Sequence, residues 1–173
     1  FFSLGILVLV VGATWPIHDL AEARLYSVHM IQHMLFTLIG APLLLAGTPD
    51  WMARALLKPR PVMRVMRVLT KPFAAYLFYT SVLVFTHWPA IVNGTVGNEW
   101  MHFGMHVLIF ASAIIMWWPV LSPMPELPAA SRPIQMVYLF LLSLMPTVPA
   151  SFLTFGQAPL YKIYETFPRM GIS

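Results

Sequence analysis

Four uncharged stretches decide what this chain can fold into: Tyr26–Ala46, Pro72–Trp88, Met101–Val120 and Ile134–Phe155. None contains Asp, Glu, Lys or Arg, and they run from 17 to 22 residues. A membrane-spanning helix needs about 20 predominantly apolar residues, within a range of about 17–25. Phe1–Thr14 is a shorter apolar run of 14 residues that reads as part of a further helix. The runs are solidly apolar rather than alternating, so helices satisfy the backbone in lipid and a closed β-barrel does not fit. The expectation is an all-α, polytopic transmembrane helix bundle with about five membrane segments. It forms a single domain over residues 1–173, belonging to a longer chain. Composition agrees: 59% of residues are hydrophobic and 9% charged, whereas soluble domains carry about 25% charged residues.

The connections carry the orientation. Six of the ten Lys and Arg residues (Arg54, Lys58, Arg60, Arg64, Arg67, Lys71) lie in Trp51–Lys71, which contains no acid. The positive-inside rule places that segment in the cytoplasm. Residues 15–25, 89–100 and 156–173 then lie outside, and residues 121–133 inside. Between Val62 and Lys71 the cations share one helical face, with Val62, Val65 and Leu69 largely opposite. An amphipathic helix along the inner surface and a solvated basic loop both fit this pattern. The net charge of +4, concentrated between apolar spans, points to lipid headgroups and not to nucleic acid. Tyr26, Trp88, Trp100, Trp117 and Trp118 are expected in interfacial belts. Gly40-Ala41-Pro42 is expected to bend the second span, Pro89 and Pro119 to close helices, and Pro146 and Pro149 to interrupt the fifth span.

Within this frame two motifs stand out. His29-Met30-Ile31-Gln32-His33-Met34 places two imidazoles at i and i+4, and Met101-His102-Phe103-Gly104-Met105-His106 repeats the arrangement with the methionines reversed. Residues four apart are neighbours on a helix face, with Cβ atoms about 5–6 Å apart, so each pair can serve one metal ion. Both pairs start inward-running helices and His87 ends an outward-running one, which puts all five in the outer leaflet. If the two His faces meet, Met30, Met34, Met101 and Met105 flank the imidazoles on one side. The chain has no cysteine, so any soft ligand is Met or His. Imidazole with thioether selects Cu(I), and the lack of carboxylates in these spans argues against Zn, Ca or a di-iron centre. The candidate metal ligands are therefore His29, His33, His87, His102 and His106 with Met30, Met34, Met101 and Met105, and the expected cargo is copper as Cu(I). His18 reads as a loop residue, and Met63, Met66, Met124 and Met136 as ordinary packing.

The motifs also resemble a known family. The histidine stretch followed by Ala41-Pro42-Leu43-Leu44 and Gly47-Thr48-Pro49, then His87-Trp88-Pro89, His102 to His106 and Trp117-Trp118-Pro119-Val120-Leu121, runs in order along the chain. Phe152-Leu153-Thr154-Phe155 and Pro159-Leu160-Tyr161 complete the pattern. It is similar to the CtaG family of caa-type cytochrome c oxidase assembly factors. The resemblance implies a multi-pass protein of the bacterial cytoplasmic membrane that matures a haem–copper oxidase, in copper supply and not in catalysis. The implied partners are oxidase subunits and membrane lipid, with a homo-oligomer also open. Two departures stand: the family continues past Gly171-Ile172-Ser173 with further apolar segments, and Met105 occupies a position where the family pattern has Glu.

Two other chemistries share His-x-x-x-His pairs. A membrane His-box iron oxygenase or desaturase clusters about eight histidines, some adjacent, on the cytoplasmic side; this chain has six, none adjacent. A haem takes one axial His from each of two helices, which leaves the doubling within each pair unexplained.

Overall fold

The computed structural model describes residues 1–14, 26–95 and 98–147, together with Ser151 and Phe155. All secondary structure among them is helical. In chain order these are α1 (Phe2–Gly12), α2 (Tyr26–Met34), a π-helical turn (Leu35–Gly40), α3 (Ala41–Gly47), α4 (Asp50–Leu56) and α5 (Arg60–Leu69). Then follow α6 (Pro72–Thr86), α7 (Pro89–Thr95), α8 (Glu99–Leu121) and α9 (Arg132–Leu144).

The expected count of about five membrane segments is corrected. Among the described residues two helices are long and apolar enough to cross a membrane, Ser27–Gly47 with 21 residues and Glu99–Leu121 with 23. A third exists only if α5 and α6, which meet at 92°, count as one broken span. α1 and α9 have 11 and 13 residues. Hydropathy sums residue types, whereas helix length is set by where backbone hydrogen bonding stops. α9 ends at Leu144, ahead of Pro146, and residues 148–150 and 152–154 of the expected fifth span lie outside the described set. Pro119, expected to close a helix, sits inside α8. Pro89 opens α7 within the expected loop.

α1 runs antiparallel to the α2–α3 helix along a seam of small residues. Gly47 meets the backbone of Phe2, Gly5 meets Leu44 and Gly12 meets the ring of Phe36. Lipid tails are as apolar as leucine, so helices in a bilayer associate by close packing, which small residues permit. α8 is the central helix. Ile109, Ala113 and Met116 from α8 join Tyr79, Val82 and Leu83 from α6 and Ala41 from α3 in one buried cluster.

At Gly40-Ala41-Pro42, where a bend is expected, the second span runs on as one helix through a π-helical turn. Pro42 has no N–H, and an α-helical ring at that position collides with the carbonyl four residues back. The Ala41 N–H instead reaches five residues back to the Phe36 carbonyl. That leaves the Thr37 carbonyl without its usual helical donors, and Trp117 Nε1–H supplies one at 2.8 Å from α8.

At the other end of the bundle Leu45, Ala53, Trp118, Met124 and Leu127 form a second cluster, with Met63 and Met66 of α5 packed against it. The chain after α8 folds back over it. Trp118 Nε1–H donates to the Leu127 carbonyl at 3.1 Å, and the Ala130 N–H to the Pro119 carbonyl at 2.8 Å. Tyr138 Oη–H donates to the Met116 carbonyl at 2.6 Å, docking α9 on α8. Arg54 bridges Glu126 at 2.9 Å and Asp50 at 3.5 Å. Trp117 and Trp118 are thus packed inward, against the interfacial-belt expectation, because their N–H groups have carbonyl partners inside the protein. Trp88 and Trp100, at 59% and 85% exposed, face outward.

Candidate metal centre

α8 begins at a true cap. Asn98 Oδ1 accepts the Met101 N–H at 3.2 Å, satisfying one of the orphan donors of the first turn. His102 and His106 therefore stand in the first two turns of α8, as His29 and His33 stand in α2. The two pairs face each other on parallel helices. His29 stacks on His102 with ring centroids 5.1 Å apart, and His33 lies 4.6 Å from His106. Within the pairs the rings are 4.3 Å apart for His29 and His33 and 4.7 Å apart for His102 and His106. His29 also meets His106 edge-on at 5.2 Å.

α6 runs antiparallel to both and brings a fifth ring. His87, at its C-terminal end, meets His33 edge-on at 5.7 Å. Its Nδ1 donates to the Leu83 carbonyl at 2.8 Å, beside Thr86 Oγ1 at 3.1 Å. With Nδ1 as the donor, Nε2 carries the lone pair. Histidines separated by up to 77 positions in sequence thus share one cluster drawn from three helices.

The centre of the cluster is His29, His33 and His106, whose ligand atoms lie within 4.8 Å of one another. Nitrogens sharing one transition-metal ion at about 2.0–2.1 Å stand about 3.3–3.6 Å apart, so side-chain adjustments of about 1 Å close the triad. Both ring nitrogens of His33 are buried with no hydrogen-bond partner. Buried polar groups are ordinarily satisfied, and one left bare costs about 1–3 kcal/mol. A cation among neutral imidazoles removes that cost. Among the described residues no carboxylate joins the triad.

Met30 and Met105 are half-buried, while Met34 and Met101 are 57% and 50% exposed. Two of the four flanking thioethers are therefore turned largely away from the protein interior. His18 lies outside the described residues. Met63, Met66 and Met124 take part in the second packing cluster, and Met136 is 74% exposed on α9.

Gln32 has a positioning role that the histidine spacing did not signal. It is 1% exposed, and its Nε2–H donates at 2.7 Å to the Gly12 carbonyl at the end of α1. The bond satisfies a helix-terminal acceptor and ties α1 to α2 between the two histidines. An amide within an apolar span was the available clue, since it must find a partner inside the protein. Phe36 packs against His106 at 6.2 Å. A cleft of about 430 Å³, lined by Gln32, Glu99, Trp100, Phe103 and His106 among others, opens the cluster on this side.

Spanning helices around a buried imidazole cluster define a helical membrane protein with a polar site built between its helices. The family is narrower than that class. The profile described as cytochrome c oxidase caa3 assembly factor (Caa3_CtaG) matches residues 1–171, and the chain belongs to this family. In comparisons with curated proteins and with solved structures, nothing matches the chain.

Proposed function

We propose that this protein binds Cu(I) at the histidine cluster and hands it to a haem–copper oxidase during assembly. His29, His33 and His106 form the central ligand set. His87 and His102 flank it, with the half-buried Met30 and Met105 as second-choice thioethers and the exposed Met34 and Met101 further from the interior. The observation that carries the reading is the convergence of five imidazoles from three helices, with both His33 nitrogens bare. Neutral imidazole and thioether suit Cu(I), which needs no carboxylate to balance its single charge.

Family membership supports the oxidase as recipient. The basic segment at the opposite end supports an orientation with that end in the cytoplasm and the histidines toward the outer face of the inner membrane. An ion held at that depth passes laterally to a membrane-embedded subunit by exchanging one ligand at a time, without entering bulk water. The role is delivery and not turnover. The test is metal analysis of the purified full-length protein, expressed with copper under reducing conditions, beside a His33→Ala/His102→Ala variant. The wild type is expected to hold copper and the variant to lose it; equal copper in both rejects the site. In cells, the same substitutions are expected to leave the oxidase with haem and without one of its coppers. Haem-deficient oxidase with full copper would reject the delivery role.

A further inference from the structure

α5 is not explained by the histidine site, from which it is separated by the length of the bundle. It crosses α6 at 92°, and α6 runs along the bundle axis beside α8, so α5 lies across that axis. At 100° per residue most of its side chains fall into three sectors, with Pro61 and the 57%-exposed Val68 on the flank between the cations and the other valines. Met63 and Met66 pack against the protein and Thr70 is buried. Arg60, Arg64 and Arg67 fall within about 60° of one another, and Lys71 follows just past the end of α5, at the bend into α6. All four are exposed, and among the described residues none enters an ion pair. Val62 and Val65 occupy the side opposite the cations, 39% and 55% exposed.

We infer that α5 is an interfacial helix that binds anionic phospholipid headgroups. Its valines insert at the acyl boundary, and its row of arginines spans about 10 Å of the surface. A water-facing docking helix would have no use for exposed valines set opposite its charges, and a core helix would bury them. A helix lying in the membrane plane uses both faces. Acidic protein segments would satisfy the cations and leave the valines in water, so the bilayer is the occupant that accounts for the whole surface. Arginine side chains spaced at i, i+4 and i+7 lie along one face of the helix, where each can meet a separate phosphate.

The test uses the full chain. In detergent, titration with phosphatidylglycerol and with phosphatidylcholine, read by native mass spectrometry, is expected to show tighter binding of the anionic lipid. Each cation near an anionic surface is worth about fivefold, so the Arg64→Gln/Arg67→Gln variant is expected to weaken phosphatidylglycerol binding about 30-fold. In vesicles, a spin label at Val65→Cys is expected to relax faster with dissolved oxygen than with an aqueous nickel chelate, and one at Arg64→Cys the reverse. Equal binding of the two lipids, or an unaltered affinity in the variant, overturns the inference. So does a Val65 label open to the aqueous reagent, which would favour an acidic protein partner. Displacement of the lipid by millimolar inorganic phosphate would mark a free-anion site and also overturn it.

Discussion

Replacing His33 with leucine separates a ligand from a structural histidine, because the two roles move stability in opposite directions. Both His33 nitrogens are buried without a hydrogen bond to the protein. Each bare group costs about 1–3 kcal/mol. Leucine has a similar volume and no polar atoms, but it forfeits ring contacts with His29, His106 and His87 at 4.3, 4.6 and 5.7 Å. The net expectation is a gain of about 2 kcal/mol. At about 2–4 °C per kcal/mol for a chain of this size, the metal-free His33→Leu protein should melt about 4–8 °C higher than wild type. Cu(I) should reverse the order. A ligand at 100 times its dissociation constant stabilises the native state by about 2.7 kcal/mol, so the wild type gains about 5–11 °C and the variant gains far less. The assay is tryptophan-fluorescence melting in detergent, under reductant, with a buffered Cu(I) series. A metal-free variant less stable than wild type would refute the reasoning, since it would mean that His33 is held by interactions the fold needs.

Affinity for Cu(I), measured by competition with a chromophoric chelator, should fall most for His29→Ala, His33→Ala and His106→Ala, less for His87→Ala and His102→Ala, and not at all for Met63→Ala. Trp117→Phe keeps one aromatic ring but removes the pyrrole ring and with it the donor to the Thr37 carbonyl; a loss of at least about 1 kcal/mol and a melting point at least about 2–4 °C lower are expected, and an unchanged melting curve would mean that the carbonyl is satisfied elsewhere. Gly12→Val forces a side chain into the Phe36 ring; overpacking of this kind costs about 1–3 kcal/mol, read as faster amide exchange in α1 and α2. A single cysteine at Arg60 should resist an impermeant thiol reagent in right-side-out vesicles and react in inverted ones; labelling from the outside would invert the proposed orientation.

What the sequence by itself determined was local and periodic. Helical geometry puts residues four apart on one face, so each His pair was bound to present two imidazoles together whatever surrounded it. Solid apolar runs demanded helices, because lipid satisfies no open backbone. The alternation of those runs with loops was enough to make the two His helices parallel. Tertiary structure decided the rest. Pairing His29 with His102, drawing His87 to His33 and leaving Met34 and Met101 half-exposed all depend on how α2, α6 and α8 are rotated against one another. Among the described residues fewer helices reach spanning length than hydropathy suggests, and α9 ends at Leu144, ahead of Pro146. The tryptophan belt was misplaced at Trp117 and Trp118 because residue type says nothing of carbonyls that a fold leaves bare. Gln32 bonds across 20 positions and Trp117 across 80. The acceptors they reach exist only after α1 has ended at Gly12 and Pro42 has forced a π-helical turn beside α8. A hydrogen bond of that kind answers a vacancy made by packing, and a linear sequence carries no record of which carbonyl packing will expose.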